Sequence, residues 1–172
     1  MKKQHSKICS RRSVRLSDYD YSQCGMYFIT ICAHESEHLF GKITDGKMHK
    51  NAMGILAEEA WHAIFEYFPH ARSEIFVAMP NHIHAVIDIH SAVDVAQNFS
   101  GTSKTIGSII RAFKAKVTVW ARKNTQIKDV WQRNYYEHVI RDERDCNRIY
   151  EYILNNPVGW IKDGTYPNYV LR

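Results

Sequence analysis

The chain has 172 residues, of which 45% are hydrophobic and 12% aromatic, and this fits one globular domain with a sizeable core. The net charge of +5 suits an anionic partner such as nucleic acid. The four cysteines form no C-x-x-C pair, which argues against a zinc knuckle or disulfide framework and predicts reduced thiols. No apolar run reaches the roughly 20 residues of a membrane span, and no signal-peptide core is visible. We therefore expect a cytoplasmic protein without a membrane segment.

Residues 1–20 contain a basic arm whose composition permits flexibility. Residues 2–15 carry several lysines and arginines and no acidic residue, with too few apolar residues for a regular packed element. Such an arm can lie along phosphates, and Arg11, Arg12 and Arg15 are its candidate DNA contacts. A solvated, frayed terminus would have the same composition, so both interpretations stay open.

Antiparallel strands and a helix are predicted next. Residues 26–32 are aromatic and β-branched and predict a buried strand. Residues 40–44 and 47–50, separated by Asp-Gly, predict a β-hairpin. Apolar residues then recur at helical spacing from Asn51, a plausible N-cap, as far as Pro69. The chain thus begins with antiparallel pieces and an amphipathic helix.

A second pair of strands and a second helix follow. Residues 75–78 predict a strand that turns into another strand ending near Ile89, and residues 91–102 predict an exposed loop. A helix is then predicted from an apolar stripe between Ile106 and Trp120, with its charged residues mostly off that stripe. Arg111 and Lys114 belong either to a solvated face or to a phosphate-contacting one.

The last part of the chain mixes aromatic and basic residues before a third helix. Residues 130–140 predict a loop that enters a short strand, where Gln132 and Arg133 could clamp single-stranded bases, although an edge strand over the core fits equally. Asp142 or Asp145 is expected to cap a helix that runs to about Asn155, because Pro157 disfavours continuation.

Two histidines inside an apolar run are the main chemical signal. In the sequence M-P-N-H-I-H at residues 79–84, His82 and His84 share one face of a strand, because alternate residues of a strand point the same way. Two neutral imidazoles make half of a divalent-metal site. On their own they could equally be unrelated histidines of a half-buried strand.

The third helix carries an i, i+4 pair of polar residues. Packed on the sheet, it could bring the amide of Asn156 to the histidines as a third metal ligand and the phenol of Tyr152 as a nucleophile. Singly, Tyr152 is an ordinary helix-rim tyrosine and Asn156 a C-terminal cap. Together with the histidine strand, the functional interpretation is the better one.

The combination resembles the single-tyrosine HUH transposases, especially the REP-associated tyrosine transposases. The similar segments are M-P-N-H-I-H at 79–84 and Y-I-L-N-N-P-V at 152–158, with further likeness at 12–30 and 131–143, so the resemblance covers nearly the whole chain as one domain over residues 1–172. It implies an α+β fold, a ferredoxin-like or RRM-like antiparallel sheet with helices packed on one face. It also implies Tyr152 as the catalytic residue, metal ligands His82, His84 and Asn156, Mg²⁺ or Mn²⁺ as the cofactor, and a homodimer.

The expected chemistry is attack of a tyrosine on a phosphodiester. Because a tyrosine has a reference pKa of about 10, it needs a divalent cation to neutralise charge on the scissile phosphate. The product would be a 5′-phosphotyrosine and a free 3′ hydroxyl, so strands could be rejoined without ATP. Single-stranded or hairpin-flanked DNA is the expected substrate, because duplex stacking would hide the phosphate.

Two other classes of function are compatible with the same residues. One is a domesticated protein that binds hairpin DNA but no longer cuts it. The other is a metal-dependent hydrolase in which the histidines activate water and Tyr152 is structural. A covalent protein–DNA adduct would distinguish the transposase from both.

Overall fold

The computed structural model describes residues 24–90 and 105–163, with side chains as far as Trp160. The basic arm with Arg11, Arg12 and Arg15 and the predicted loop at 91–102 lie outside the described residues. The elements of the described part, in chain order, are β1 (Gly25–Cys32), β2 (Gly41–Thr44), β3 (Lys47–Lys50), α1 (Ala52–Ile64), β4 (Ala71–Met79), β5 (His82–Ile89), α2 (Ile106–Asn124), β6 (Tyr136–Ile140) and α3 (Glu143–Asp163).

The main sheet has four strands in the order β4-β5-β1-β6, and every neighbouring pair is antiparallel. With α1 between β1 and β4 and α2 between β5 and β6, this is the predicted ferredoxin-like arrangement. The hairpin β2–β3 is inserted before α1 and turns at Asp45 and Gly46, which both have positive φ angles. Both the fold class and the hairpin were predicted correctly.

Alternation along the central strands divides the sheet into two faces. Side chains of β1 and β5 such as Tyr27, Ile29, Ile83 and Ala85 point to one face, where they form the larger core. Helices α1 and α2 pack on this face through a common set of buried apolar residues, which includes Trp61 and the stripe Ile106, Ile109, Ile110, Phe113 and Val117. The prediction of helices on one face holds for these two helices.

Helix α3 covers the opposite face. Ile149 and Ile153 are fully buried there against Phe28 of β1 and Val86 of β5. Burial of each isoleucine contributes about 1.5–3 kcal/mol, which is enough to fix the helix on the sheet. The sheet is therefore covered on both faces, and the histidines of β5 share their face with α3.

The start of α3 is held by polar contacts. The backbone N–H of Asp145 donates to the side chain of Asp142 at 2.8 Å, so Asp142 is the cap. Asp145 instead binds His138 of β6 at 2.7 Å and Arg148 at 2.6 Å. Burial raises the pKa of Asp145, but the hydrogen bonds from His138 and Arg148 lower it by more, so the carboxylate stays charged. This contact ties the helix to the edge strand.

The expected end of α3 near Asn155 is wrong. The helix runs to Asp163 with Pro157 inside it, although proline has no N–H to donate to the carbonyl of Ile153. The added two turns bring the ring of Trp160 to 5.9 Å from that of His82 and to 5.7 Å from that of His38. Asn156 therefore lies in the helix interior, and its interpretation as a C-terminal cap is also wrong.

Candidate active site

His82 and His84 lie side by side on the α3 face of the sheet. Their Nε2 atoms are 3.0 Å apart, and their side chains are 0% and 3% exposed. Burial lowers the pKa of His82 to about 3 and, together with the neighbouring His82, lowers that of His84 well below its usual value. Both imidazoles are therefore neutral at pH 7, the form that binds a metal ion.

Each histidine has a hydrogen-bond partner on its other ring nitrogen. The Nδ1 atom of His82 lies 2.8 Å from Oδ1 of Asn81, whose Nδ2 donates to the carbonyl of Ser36 at 3.3 Å. The Nδ1 atom of His84 lies 2.9 Å from the hydroxyl of Thr30, its partner in the β1–β5 register. Such partners set the orientation of metal-binding rings. The sequence did not predict a role for Thr30 or Asn81. For Asn81 its position next to His82 was a possible signal, and for Thr30 there was none.

Tyr152 reaches the histidines from α3 of the same chain. Its hydroxyl oxygen is 3.3 Å from Nε2 of His84, and its ring packs against those of His84 and Phe28 at centroid distances of 5.2 and 6.1 Å. The edge-on packing against Phe28 fixes the ring. Tyr152 therefore lies against the histidines of its own chain.

Asn156 lies on the same stripe of α3, between Tyr152 and Trp160. These three residues are four apart, so they share one face of the helix. Since Tyr152 contacts His84 and Trp160 contacts His82, the residue midway between them faces the histidine pair. Its amide is 4% exposed, and neither Oδ1 nor Nδ2 has a hydrogen-bond partner within the described part of the chain. A buried amide without partners costs about 1–3 kcal/mol, and an oxygen in this position is available as a ligand.

The donor set fits a divalent cation. Two ligand atoms about 2.1 Å from one ion lie about 3.0 Å apart at the right angle of an octahedral site and about 3.4 Å apart at the tetrahedral angle. The observed spacing of the imidazole nitrogens, 3.0 Å, is close to these values, so both nitrogens can reach one ion. Across residues 24–90 and 105–163, no group of three or more His, Cys, Asp or Glu side chains could hold a metal. A site at the histidines therefore needs an oxygen such as that of Asn156, together with oxygens from substrate or water.

The candidate DNA contacts on α2 are not brought to this site. Helix α2 packs on the other face of the sheet, where Arg111 is exposed. The ammonium of Lys114 donates to the backbone carbonyls of Gln132 and Asn134 at 2.8 and 3.0 Å, so this residue anchors the loop before β6. A phosphate contact by Lys114 would compete with these two bonds.

The loop before β6 lies nearer to the histidines. The backbone N–H of Gln132 donates to the carbonyl of Cys32, which is the register partner of His82. The side chain of Gln132 is half-buried and that of Arg133 is exposed. Of the predicted DNA contacts within the described ranges, these two lie in a loop that is hydrogen-bonded to β1, the strand next to the histidine strand.

The chain has relatives among known proteins. No protein-family model matches the chain. The chain is 49% identical over 175 residues to an uncharacterized protein of Haemophilus influenzae strain Rd, covering 95% of this chain and 97% of that protein. It is 26% identical over 166 residues to a putative REP-associated tyrosine transposase of the same strain, covering 90% and 86%. It is 30% identical over 89 residues to the REP-associated tyrosine transposase of Escherichia coli K12, covering 51% and 46%.

The fold is shared with a solved structure of a REP-associated tyrosine transposase bound to a REP hairpin. The TM-score is 0.60 at 20% sequence identity, with 88% of this chain and 89% of that chain covered. The chain is thus similar in sequence to REP-associated tyrosine transposases and shares the fold of one of them, and the resemblance predicted from its motifs is confirmed. Within the described ranges, no helix is both long and apolar enough to cross a membrane.

Proposed function

We propose that this protein is a metal-dependent endonuclease and strand transferase for single-stranded DNA, acting as a transposase at hairpin-flanked sites. The observation that carries the proposal is the tyrosine hydroxyl held 3.3 Å from one of two adjacent buried imidazoles. The sequence similarity to two REP-associated tyrosine transposases, one of them putative, supports a transposase-type function. The hairpin bound by the structural neighbour supports a DNA partner of the same kind.

In the proposed reaction the oxygen of Tyr152 is the nucleophile. It attacks the scissile phosphorus, the bond from phosphorus to the 3′ oxygen breaks, and a 5′-phosphotyrosine and a free 3′ hydroxyl result. The packing of its ring against Phe28 and His84 limits the positions of the phenol oxygen and so reduces the entropy cost of alignment. A 3′ hydroxyl that attacks the phosphotyrosine reverses the step and joins two strands.

The metal-binding residues in this proposal are His82, His84 and Asn156. A bound Mg²⁺ or Mn²⁺ supplies positive charge for the phosphate oxygens and thereby offsets the charge of the transition state. The neutral imidazoles leave the full charge of the cation available to the phosphate, since they contribute no negative charge of their own. The orphaned amide of Asn156 supports its role as the oxygen ligand.

The proposal is tested by cleavage of a single-stranded oligonucleotide that contains a hairpin and its flanking bases. We expect nicking with Mn²⁺ or Mg²⁺, none with excess chelator, and a shifted protein band on denaturing electrophoresis. A matched oligonucleotide with a scrambled hairpin stem is the substrate control and should be cut much less. Metal-dependent cutting without an adduct would instead support a hydrolase, and tight hairpin binding without cutting would support a domesticated binder.

A further inference from the structure

We propose that Thr30 is a positioning residue for His84. Its hydroxyl binds one neutral tautomer of His84 when no metal is present and the other neutral tautomer when a metal is bound. Asn81, by contrast, holds His82 in the same tautomer in both states. The inference rests on the metal site of the proposed function and deepens it. It concerns which nitrogen of each ring carries the proton, and therefore which lone pairs are offered to a cation.

The tautomer of His82 follows from the orientation of Asn81. The Nδ2 group of Asn81 donates to the carbonyl of Ser36, so its Oδ1 is the atom that faces Nδ1 of His82 at 2.8 Å. A carbonyl oxygen only accepts hydrogen bonds, so Nδ1 of His82 must carry the proton. A neutral His82 consequently has a lone pair and no hydrogen on Nε2.

The tautomer of His84 without metal follows from that lone pair. Nε2 of His84 is 3.0 Å from Nε2 of His82, and two facing lone pairs would repel at that distance. The contact is a hydrogen bond only if Nε2 of His84 carries the proton and donates it. Nδ1 of His84 is then an acceptor, and the hydroxyl of Thr30 donates to it at 2.9 Å. The hydroxyl oxygen of Tyr152, 3.3 Å from Nε2 of His84, then faces an N–H group and can accept from it, so each polar atom of these contacts has a suitable partner.

Metal binding requires the other tautomer of His84. Both Nε2 lone pairs must then face the cation, so the proton of His84 must be on Nδ1. One proton leaves Nε2 for solvent and one is taken up at Nδ1, so the ring stays neutral. The hydroxyl of Thr30 turns to accept where it previously donated. A carbonyl could only accept and a backbone N–H could only donate, whereas a hydroxyl does both.

The spacing of the two rings suits both states. A separation of 3.0 Å fits an N–H···N hydrogen bond and also fits two nitrogen ligands at a right angle, about 3.0 Å apart for bonds of about 2.1 Å. The distance between the two Nε2 atoms can therefore stay the same when the proton changes place. Thr30 stabilises the metal-bound state more, because a cation on Nε2 makes the Nδ1–H group of His84 a stronger donor to the hydroxyl oxygen. Its removal should therefore weaken metal binding.

The test combines two variants of Thr30 with a readout of the ring protons. Thr30→Val keeps the shape and removes the hydroxyl, and Thr30→Ser keeps the hydroxyl. Isothermal titration calorimetry with Mn²⁺ should show that the affinity for the ion falls about 10- to 100-fold in Thr30→Val. In Thr30→Ser the affinity should be close to that of the wild type. In ¹⁵N ring spectra of the wild type, with His84 assigned through a His84→Gln variant, the proton should lie on Nε2 without metal and on Nδ1 with Zn²⁺. His82 should keep its proton on Nδ1 in both.

Other outcomes separate this inference from the proposed function. Equal Mn²⁺ affinity in Thr30→Val and wild type, an unchanged tautomer of His84, or a charged His84 ring without metal would each overturn the inference, even if the wild type cuts DNA. A wild type that binds Mn²⁺ and shows the predicted change of tautomer but forms no adduct would overturn the proposed function and leave the role of Thr30 standing. A wild type that binds neither ion would overturn the metal site and this inference with it.

Discussion

Replacing Tyr152 by phenylalanine removes one oxygen atom from the candidate active site and keeps the ring. The lost contact is the hydroxyl approach to Nε2 of His84 at 3.3 Å, whereas the ring contacts with His84 and Phe28 persist. The free energy of unfolding should fall by about 1 kcal/mol or less, because a hydrogen bond of this kind contributes about that much net. For a domain of this size, that is a fall in melting temperature of about 2–4 °C at most.

The same variant should lose all cleavage and all covalent adduct. Hairpin DNA binding should persist with its normal salt dependence, because it depends on basic side chains and not on the phenol. The assay is a nicking time course with Mn²⁺ beside a binding titration at two salt concentrations. Loss of both binding and cutting would point to a folding defect, which the melting curve would reveal.

Tyr150→Phe is the matched control. Tyr150 lies two residues earlier on α3, about 160° round the helix from Tyr152. It also packs on the smaller core, so the change in stability should be similar. Cleavage should stay near the wild-type rate. If Tyr152→Phe cuts as fast as Tyr150→Phe, then water is the nucleophile and the reasoning that assigns Tyr152 is wrong.

Four further predictions concern the metal ligands, the amide, pH and assembly. His82→Ala and His84→Ala should each abolish Mn²⁺-dependent nicking while circular dichroism stays native, and unchanged nicking in both would refute the site. Asn156→Ala should weaken Mn²⁺ binding. Its free energy of unfolding should be equal to that of the wild type or higher, because a buried amide without hydrogen-bond partners is removed. A fall in the free energy of unfolding of more than about 2 kcal/mol would mean that the amide has hydrogen-bond partners in the folded protein. The pKa of His82 is about 3 in the folded protein and near 6.5 in the unfolded chain, so the unfolded state binds more protons at pH values between the two. The metal-free protein should therefore lose stability as the pH falls from 6.5 to about 3. In urea unfolding, the free energy of unfolding of His82→Ala should fall less over the same pH range. The predicted homodimer should sediment as twice the chain mass at micromolar concentration, and an active monomer would disprove it as a requirement.

Local sequence patterns were sufficient to predict most of the fold. The alternation of β5, the Asp-Gly turn and the cap at Asn51, which accepts from the N–H of Gly54 at 2.9 Å, all act within a few residues. Local pattern failed at Pro157, where the helix continues past the proline and Trp160 contacts His82 of a distant strand. It also could not show that α3 lies on the opposite face from α1 and α2, because that depends on how distant segments pack.

The structure brings together the histidines, the tyrosine and the asparagine that the sequence singled out, but the residues that support them were not predicted. His82 and His84 are recognisable because both lie on one strand, and Tyr152 and Asn156 because both lie on one helix. Thr30 comes from another strand 54 residues away from His84, and only the sheet register brings them together. The role of Lys114 could not be predicted either. Its position off the apolar stripe of α2 does not indicate that its ammonium group donates to two backbone carbonyls of a distant loop.

The most direct measurement of the central claim is the identity of the covalent bond between protein and DNA. The wild type is incubated with Mn²⁺ and a hairpin-flanked oligonucleotide labelled at its 3′ end in one sample and at its 5′ end in another, and the adduct is digested for mass spectrometry. We expect the 3′-labelled fragment to stay with the protein, the 5′-labelled fragment to be released with a 3′ hydroxyl, and the added mass to lie on Tyr152. An adduct that retains the 5′ label, an added mass on another residue, or cleavage with no adduct would contradict the account.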